Sequence, residues 1–160
     1  MESNNQRNPR CGMSTYREMR CRHQLEVNDF PIAYAFSDEG FAAGMKKLGL
    51  NPQDTDKICS LGGTGGFFRK SDMRKLNKMF ARHKRERDEA IAADTKGTGY
   101  IYQMFLCELA SNEFDFTENL EDTLAAVDLT PEAIEKSKPL KRGLELAIKV
   151  IKKGRLKNVK

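Results

Sequence analysis

The apolar positions of this chain change their period along its length, and the changes mark its elements. From Phe30, a short run of β-formers, Pro31-Ile32-Ala33-Tyr34-Ala35-Phe36, predicts a strand over 31–36. Ser37 follows as an N-cap, with Asp38 and Glu39 in the first turn, where the positive end of the helix dipole favours acids. Phe41, Met45 and Leu48 then recur at helical spacing, and Gly49 supplies the C-terminal cap. After a turn at 51–54, residues 57–61 and 66–69 read as two strands joined by Gly62-Gly63-Thr64-Gly65. Glycines there supply cheap positive φ angles, which is hairpin chemistry.

Ser71 and Asp72 open a helix predicted to run to about residue 92. At ~100° per residue, Met73, Leu76, Met79, Phe80, Ala90 and Ile91 share one side with His83, which reads as a partly buried packing residue. Arg74, Lys75, Lys78, Arg82 and Arg85 fall opposite. Asp94 to Gly99 breaks that helix. Tyr100 to Ala110 is almost wholly apolar and predicts a helix buried on most faces, the centre of the core. Residues 114–117 read as a loop anchored by Phe114 and Phe116. Residues 118–127 read as a helix with Leu120, Leu124 and Val127 inward, and Thr130-Pro131-Glu132 starts another. From Pro139 a last helix carries Leu140, Leu144, Ala147, Ile148 and Ile151 as one stripe. Lys141, Arg142, Lys149, Lys152 and Lys153 lie opposite, and Gly154 is expected to stop it. Residues 1–28 have no apolar period and read as a disordered or loosely attached basic arm. The expected architecture is α+β: a small antiparallel or mixed sheet against about five helices, with a helix-rich C-terminal half. One domain spans 29–154, and 155–160 is a basic tail. No internal repeat or low-complexity stretch organises the chain.

Composition narrows the function classes. The 160 residues suit one domain, and no apolar run reaches the ~20 residues that span a bilayer. The start lacks the apolar core of a signal peptide, so a cytoplasmic setting is expected. Cysteines at 11, 21, 59 and 107 never stand as C-x-x-C, and Cys11, Cys21 and His23 match no zinc spacing. No cofactor or metal is expected. The glycine turn is no phosphate loop: Arg69 precedes Lys70-Ser71 and Thr64 stands where the earlier glycine belongs. A dinucleotide pattern on Gly63 would need glycine at Phe68. A Cys59–His83 nucleophile pair has no spacing to support it. The chain therefore reads as non-catalytic.

Charge changes the picture most. The net charge is only +5, yet it is segregated in blocks. Residues 69–87 hold nine Lys/Arg against two acids, residues 108–135 hold nine acids and no Lys/Arg, and residues 138–160 hold nine Lys/Arg against one acid. Such blocks create opposed surface fields or pair internally. The candidate partner-binding or nucleic-acid-binding residues are Arg69, Lys70, Arg74, Lys78, Arg82, Arg85, Lys149, Lys152 and Lys153. A candidate acidic face carries Asp115, Glu118, Glu121 and Asp122.

Three stretches carry a resemblance: Phe36-Ser37-Asp38-Glu39-Gly40-Phe41 with Gly44-Met45-Lys46-Lys47-Leu48; Ser60 to Lys70; and Glu108-Leu109-Ala110-Ser111-Asn112-Glu113-Phe114 with Asp122-Thr123-Leu124. Together they resemble small uncharacterised proteins of bacteriophages and mobile elements. That resemblance implies a binding protein that inhibits a host defence nuclease by occlusion, as anti-CRISPR proteins do. The expected partner is then a bacterial protein or ribonucleoprotein complex, with either the 108–135 acidic block imitating phosphates in the cationic channel of an RNA-guided effector or the basic helices docking on its guide RNA or an acidic lobe. The alternative is a basic module binding DNA or RNA through the 69–87 and 139–157 helices.

Overall fold

The computed structural model describes residues 15–157, with backbone alone at 115–116 and 155–157. The fold is α+β, with one three-stranded antiparallel sheet and a helix-rich C-terminal half. The chain divides into two compact units. One holds residues 21–87; the other holds the described residues up to 20 and from 88 onward. Helices α1 (Tyr16–Asp29) and α3 (Met73–Ala93) each contribute to both.

In the unit of residues 21–87, the sheet is ordered β1 (Ile32–Tyr34), β3 (Gly66–Arg69), β2 (Ile58–Ser60). Phe68 pairs with Ile32 and Cys59, and Phe67 with Ala33 and Ser60. Successive strand residues point to opposite faces, so these two phenylalanines feed two clusters. Phe68, Ile32 and Cys59 pack with Leu76 and Met79 of α3 and Val27 of α1. Phe67 and Ala33 pack with Met45 and Leu48, which belong to helix α2 (Asp38–Lys47) and its cap. The central strand is buried on both faces, which is why it reads as a continuous apolar run rather than an alternating one.

Local chemistry sets the ends of α2. Ser37 Oγ accepts from the Gly40 N–H at 3.1 Å. At the other end Gly49 takes φ +73°, its N–H meets Lys46 O at 2.9 Å, and the Leu50 N–H meets Met45 O at 2.9 Å. That pair of bonds is the Schellman arrangement. The glycine stretch forms the β2–β3 turn, closed by Leu61 N–H to Gly66 O at 2.8 Å and Thr64 Oγ1–H to Leu61 O at 2.7 Å.

The other unit is built on α4 (Tyr100–Ser111), whose Ile101, Met104, Phe105 and Leu109 are essentially inaccessible. Around it lie α5 (Phe114–Thr117), α6 (Glu121–Ala126), α7 (Pro131–Lys136) and α8 (Lys138–Lys157). The Asp94 carboxylate accepts from the N–H groups of Gly97, Gly99 and Ile101, each at 3.0 Å. It thereby satisfies donors that the first turn of α4 would leave orphaned. Among the described residues no helix is long and apolar enough to cross a membrane.

Four expectations are corrected. Residues 16–28 of the supposed arm lie in helix α1, with Tyr16 and Met19 buried; residues 1–14 and 158–160 lie outside the described residues. The inward side of α1 mixes apolar residues, Tyr16, Met19 and Val27, with the polar His23, so apolar periodicity alone does not show it. Residues 114–117 form a short helical turn, and the following helix begins at Glu121 rather than 118. Helix α8 continues through Gly154, because the ~1 kcal/mol helix penalty of one glycine is too small to end it. Phe80 and Met73, expected inward, are 39% and 40% exposed.

Candidate functional site

A polar cluster joins the two helical faces of the 21–87 unit. His23 Nε2 lies 2.8 Å from Glu86 Oε2, and His83 Nε2 lies 3.0 Å from Glu26 Oε2. The imidazoles stack with centroids 3.9 Å apart. Arg22 reaches Glu86 at 2.9 Å, and Arg82 forks onto both oxygens of Glu26. The pairing is reciprocal because the sequence is: Arg-His-x-x-Glu occurs at 22–26 on α1 and again at 82–86 on α3. On a helix, residues three and four apart share a face. Each copy thus presents a histidine beside its carboxylate, and the two copies clasp across the helix pair.

The electrostatics follow from this geometry. Arg82 and then His83 hold the Glu26 carboxyl down at about 2 by hydrogen bonding. His23 and Arg22 hold Glu86 at about 2. Burial pushes the His23 imidazole below its ordinary range, more than Glu86 raises it. Both imidazoles are almost fully enclosed, and their Nε2 atoms already face carboxylates. The cluster acts as a buried clasp. Cys59 does not join it, lying instead in the apolar cluster with Phe68 and Leu76. Among the described residues no group of three or more His, Cys, Asp or Glu is arranged to hold a metal ion.

The clasp sorts the basic candidates. Arg82 is tied to Glu26 and Glu86. Arg69 is tied to Asp72 through Nε and a terminal nitrogen, both at 2.8 Å. Lys70, Arg74, Lys75 and Lys78 remain on the solvent side and have no ion-pair partner among the described residues. They line two adjoining shallow depressions. Lys70, Arg74 and Lys78 line the first; Lys75, Lys78, Arg82 and Arg85 line the second. Meanwhile Asp72 and Glu86, the acids of this stretch, are engaged with Arg69 and with His23 and Arg22. The outer face of α3 is left cationic.

In the other unit Lys149 and Lys153 line a groove with Thr98, Tyr102, Leu146 and Val150, while Lys152 is exposed outside that lining. Two acids of the 108–135 block outside the candidate acidic face are engaged. Glu108, at the end of α4, is buried, accepting from Tyr16 Oη at 2.5 Å and pairing with Arg20 at 3.0 Å. Glu135 pairs with Lys141 at 2.9 Å. Glu118, at φ +53°, Glu121 and Asp122 are exposed, and the side chain of Asp115 lies outside the described ones. Sequence reasoning missed His23, Glu26, Glu86 and Tyr102. The repeated Arg-His-x-x-Glu was the available signal for the first three; for Tyr102 there was none.

A family model described as a family of unknown function, DUF7659, matches residues 15–150, and the chain belongs to that family. No curated protein and no solved structure matches it.

Proposed function

For this member of the family, we propose a non-catalytic role in binding nucleic acid, with the outer face of α3 as the contact surface. The observation that supports it most is the row of cations without an ion-pair partner among the described residues, Lys70 just before α3 and Arg74, Lys75 and Lys78 on it, where the acids Asp72 and Glu86 are engaged with other side chains. Cations three and four residues apart stand ~5–6 Å from one another along one face. Such a row neutralises successive phosphates and releases their counterions, and that release drives association.

The test is fluorescence anisotropy with labelled DNA and RNA at increasing salt. Affinity is expected to fall steeply, with a log–log slope of about −0.7 per phosphate contact for single strands and about −0.9 for duplex. Reversing Lys70, Arg74 and Lys78 to Glu should weaken binding and flatten that slope by two to three contacts' worth. A slope near zero, or no binding at micromolar protein, removes the proposal.

A second reading, occlusion of an RNA-guided defence nuclease, draws on the exposure of Glu121 and Asp122 at the start of α6. It takes precedence if the protein captures a purified effector and ignores free nucleic acid.

A further inference from the structure

The groove on α8 has a composition that the α3 face lacks. Leu146, Lys149, Val150 and Lys153 follow one another at i, i+3, i+4 and i+7, a single helical stripe alternating apolar and cationic residues. Opposite this stripe stand Thr98 and Tyr102. Tyr102 is half-buried against the α4 core, so its ring is held by packing while still lining the groove. Val150 is 45% exposed on the floor. Lys149 and Lys153, one turn apart, have no ion-pair partner among the described residues.

We propose that this groove seats a nucleotide of a single-stranded nucleic acid, its base against Tyr102 and its phosphate at Lys149 and Lys153. The inference rests on the nucleic-acid reading and sharpens it to unpaired strands. Charge complementarity selects an anion. The aromatic wall and apolar floor select one that carries a flat apolar face, and an acidic peptide offers carboxylates without that face. Fixed aromatics flanked by cations are how proteins hold single strands without reading sequence, each base–aromatic contact contributing ~1–3 kcal/mol. A duplex keeps its bases stacked within the helix and cannot present one to Tyr102.

The chain has no tryptophan, so the Tyr102→Trp protein carries a single indole reporter in the groove. Its fluorescence is followed on titration with a single-stranded oligonucleotide, the matching duplex and polyglutamate. Saturable quenching by the single strand alone is expected, weakened by Lys149→Glu with Lys153→Glu. Removing the ring should cost about 5- to 100-fold in single-strand affinity. Tyr102→Ala tests this, and Tyr102→Leu does so with apolar packing retained. Quenching by polyglutamate but not by the oligonucleotide overturns the inference. So does unchanged single-strand affinity in both ring-less variants; if the α3 charge reversal still weakens binding, the α3 reading survives alone. If the unaltered chain binds no nucleic acid, both fall.

Discussion

His23 and His83 lie face to face, their ring planes 13° apart, each bonded to the carboxylate beside the other. Two imidazolium ions at that separation would repel, and burial already disfavours charge on His23. Its folded-state affinity for a proton is below the ordinary 6.5, so below that pH the unfolded chain binds more protons. Stability should therefore fall as pH drops through 6.5 and below. Urea denaturation at a series of pH values checks this. His23→Gln keeps a donor toward Glu86 but does not titrate, so its stability should vary less over the same range. An unchanged pH slope in that variant refutes the assignment.

Glu108 holds α1 to α4 within its unit. A buried carboxylate without partners is costly, and here Tyr16 and Arg20 supply them. Tyr16→Phe removes one bond to a charged group and should cost ~1.5–3 kcal/mol in chemical denaturation. The Tyr16 phenol is itself pushed above its ordinary 10.0, by burial first and then by Glu108. Its contribution is present below pH 10.0 and should be lost as pH rises beyond it, a loss absent from Tyr16→Phe.

Asp94 and Gly97 define the α3–α4 connection. Asp94→Ala removes the side-chain acceptor of three N–H groups; Gly97 keeps a longer bond to the residue 94 carbonyl at 3.4 Å, while Gly99 and the buried Ile101 lose theirs. At ~1–3 kcal/mol for each buried orphan, a loss of at least about 2 kcal/mol is expected. Gly97 has φ +72°, and a Cβ there would lie 2.0 Å from Pro139 O, a backbone atom that cannot step aside. Gly97→Ala should be at least as damaging in thermal denaturation.

Two helical glycines should respond in opposite directions. A Cβ on Gly44 would sit 2.6 Å from Phe67 Cζ and 3.0 Å from Ala33 Cβ, where α2 presses on the sheet. Gly44→Ala should destabilise by ~1–3 kcal/mol through overpacking. A Cβ on Gly154 meets nothing within 4 Å among the described residues. Gly154→Ala should stabilise by ~0.5–1 kcal/mol, since alanine is the better helix former. Melting temperatures of the two proteins, moving apart about the parent, are the check.

What could be read in advance depended on how far each determinant lies along the chain. Ser37, Gly49, Thr130 and Pro131 act on backbone within a few positions, and the elements they bound stand where their chemistry puts them. The glycine turn, the apolar α4 and the cationic side of α3 were legible for the same reason. Helix α1 was not, because few apolar residues mark it and part of its anchoring is polar, Tyr16 to Glu108 and His23 to Glu86, separated by 92 and 63 positions.

The amino-acid order alone decided the local elements, the segregation of charge and the two copies of Arg-His-x-x-Glu. Only the tertiary structure decided which charges remain available. Arg82 looks like Arg74 and Lys78 in the sequence, yet it meets Glu26, a carboxylate 56 positions away that folding brings in. The groove at Tyr102 likewise exists only because α8 returns to α4. Periodicity reports how a residue sits on its own helix, whereas the partner across from it is set by packing.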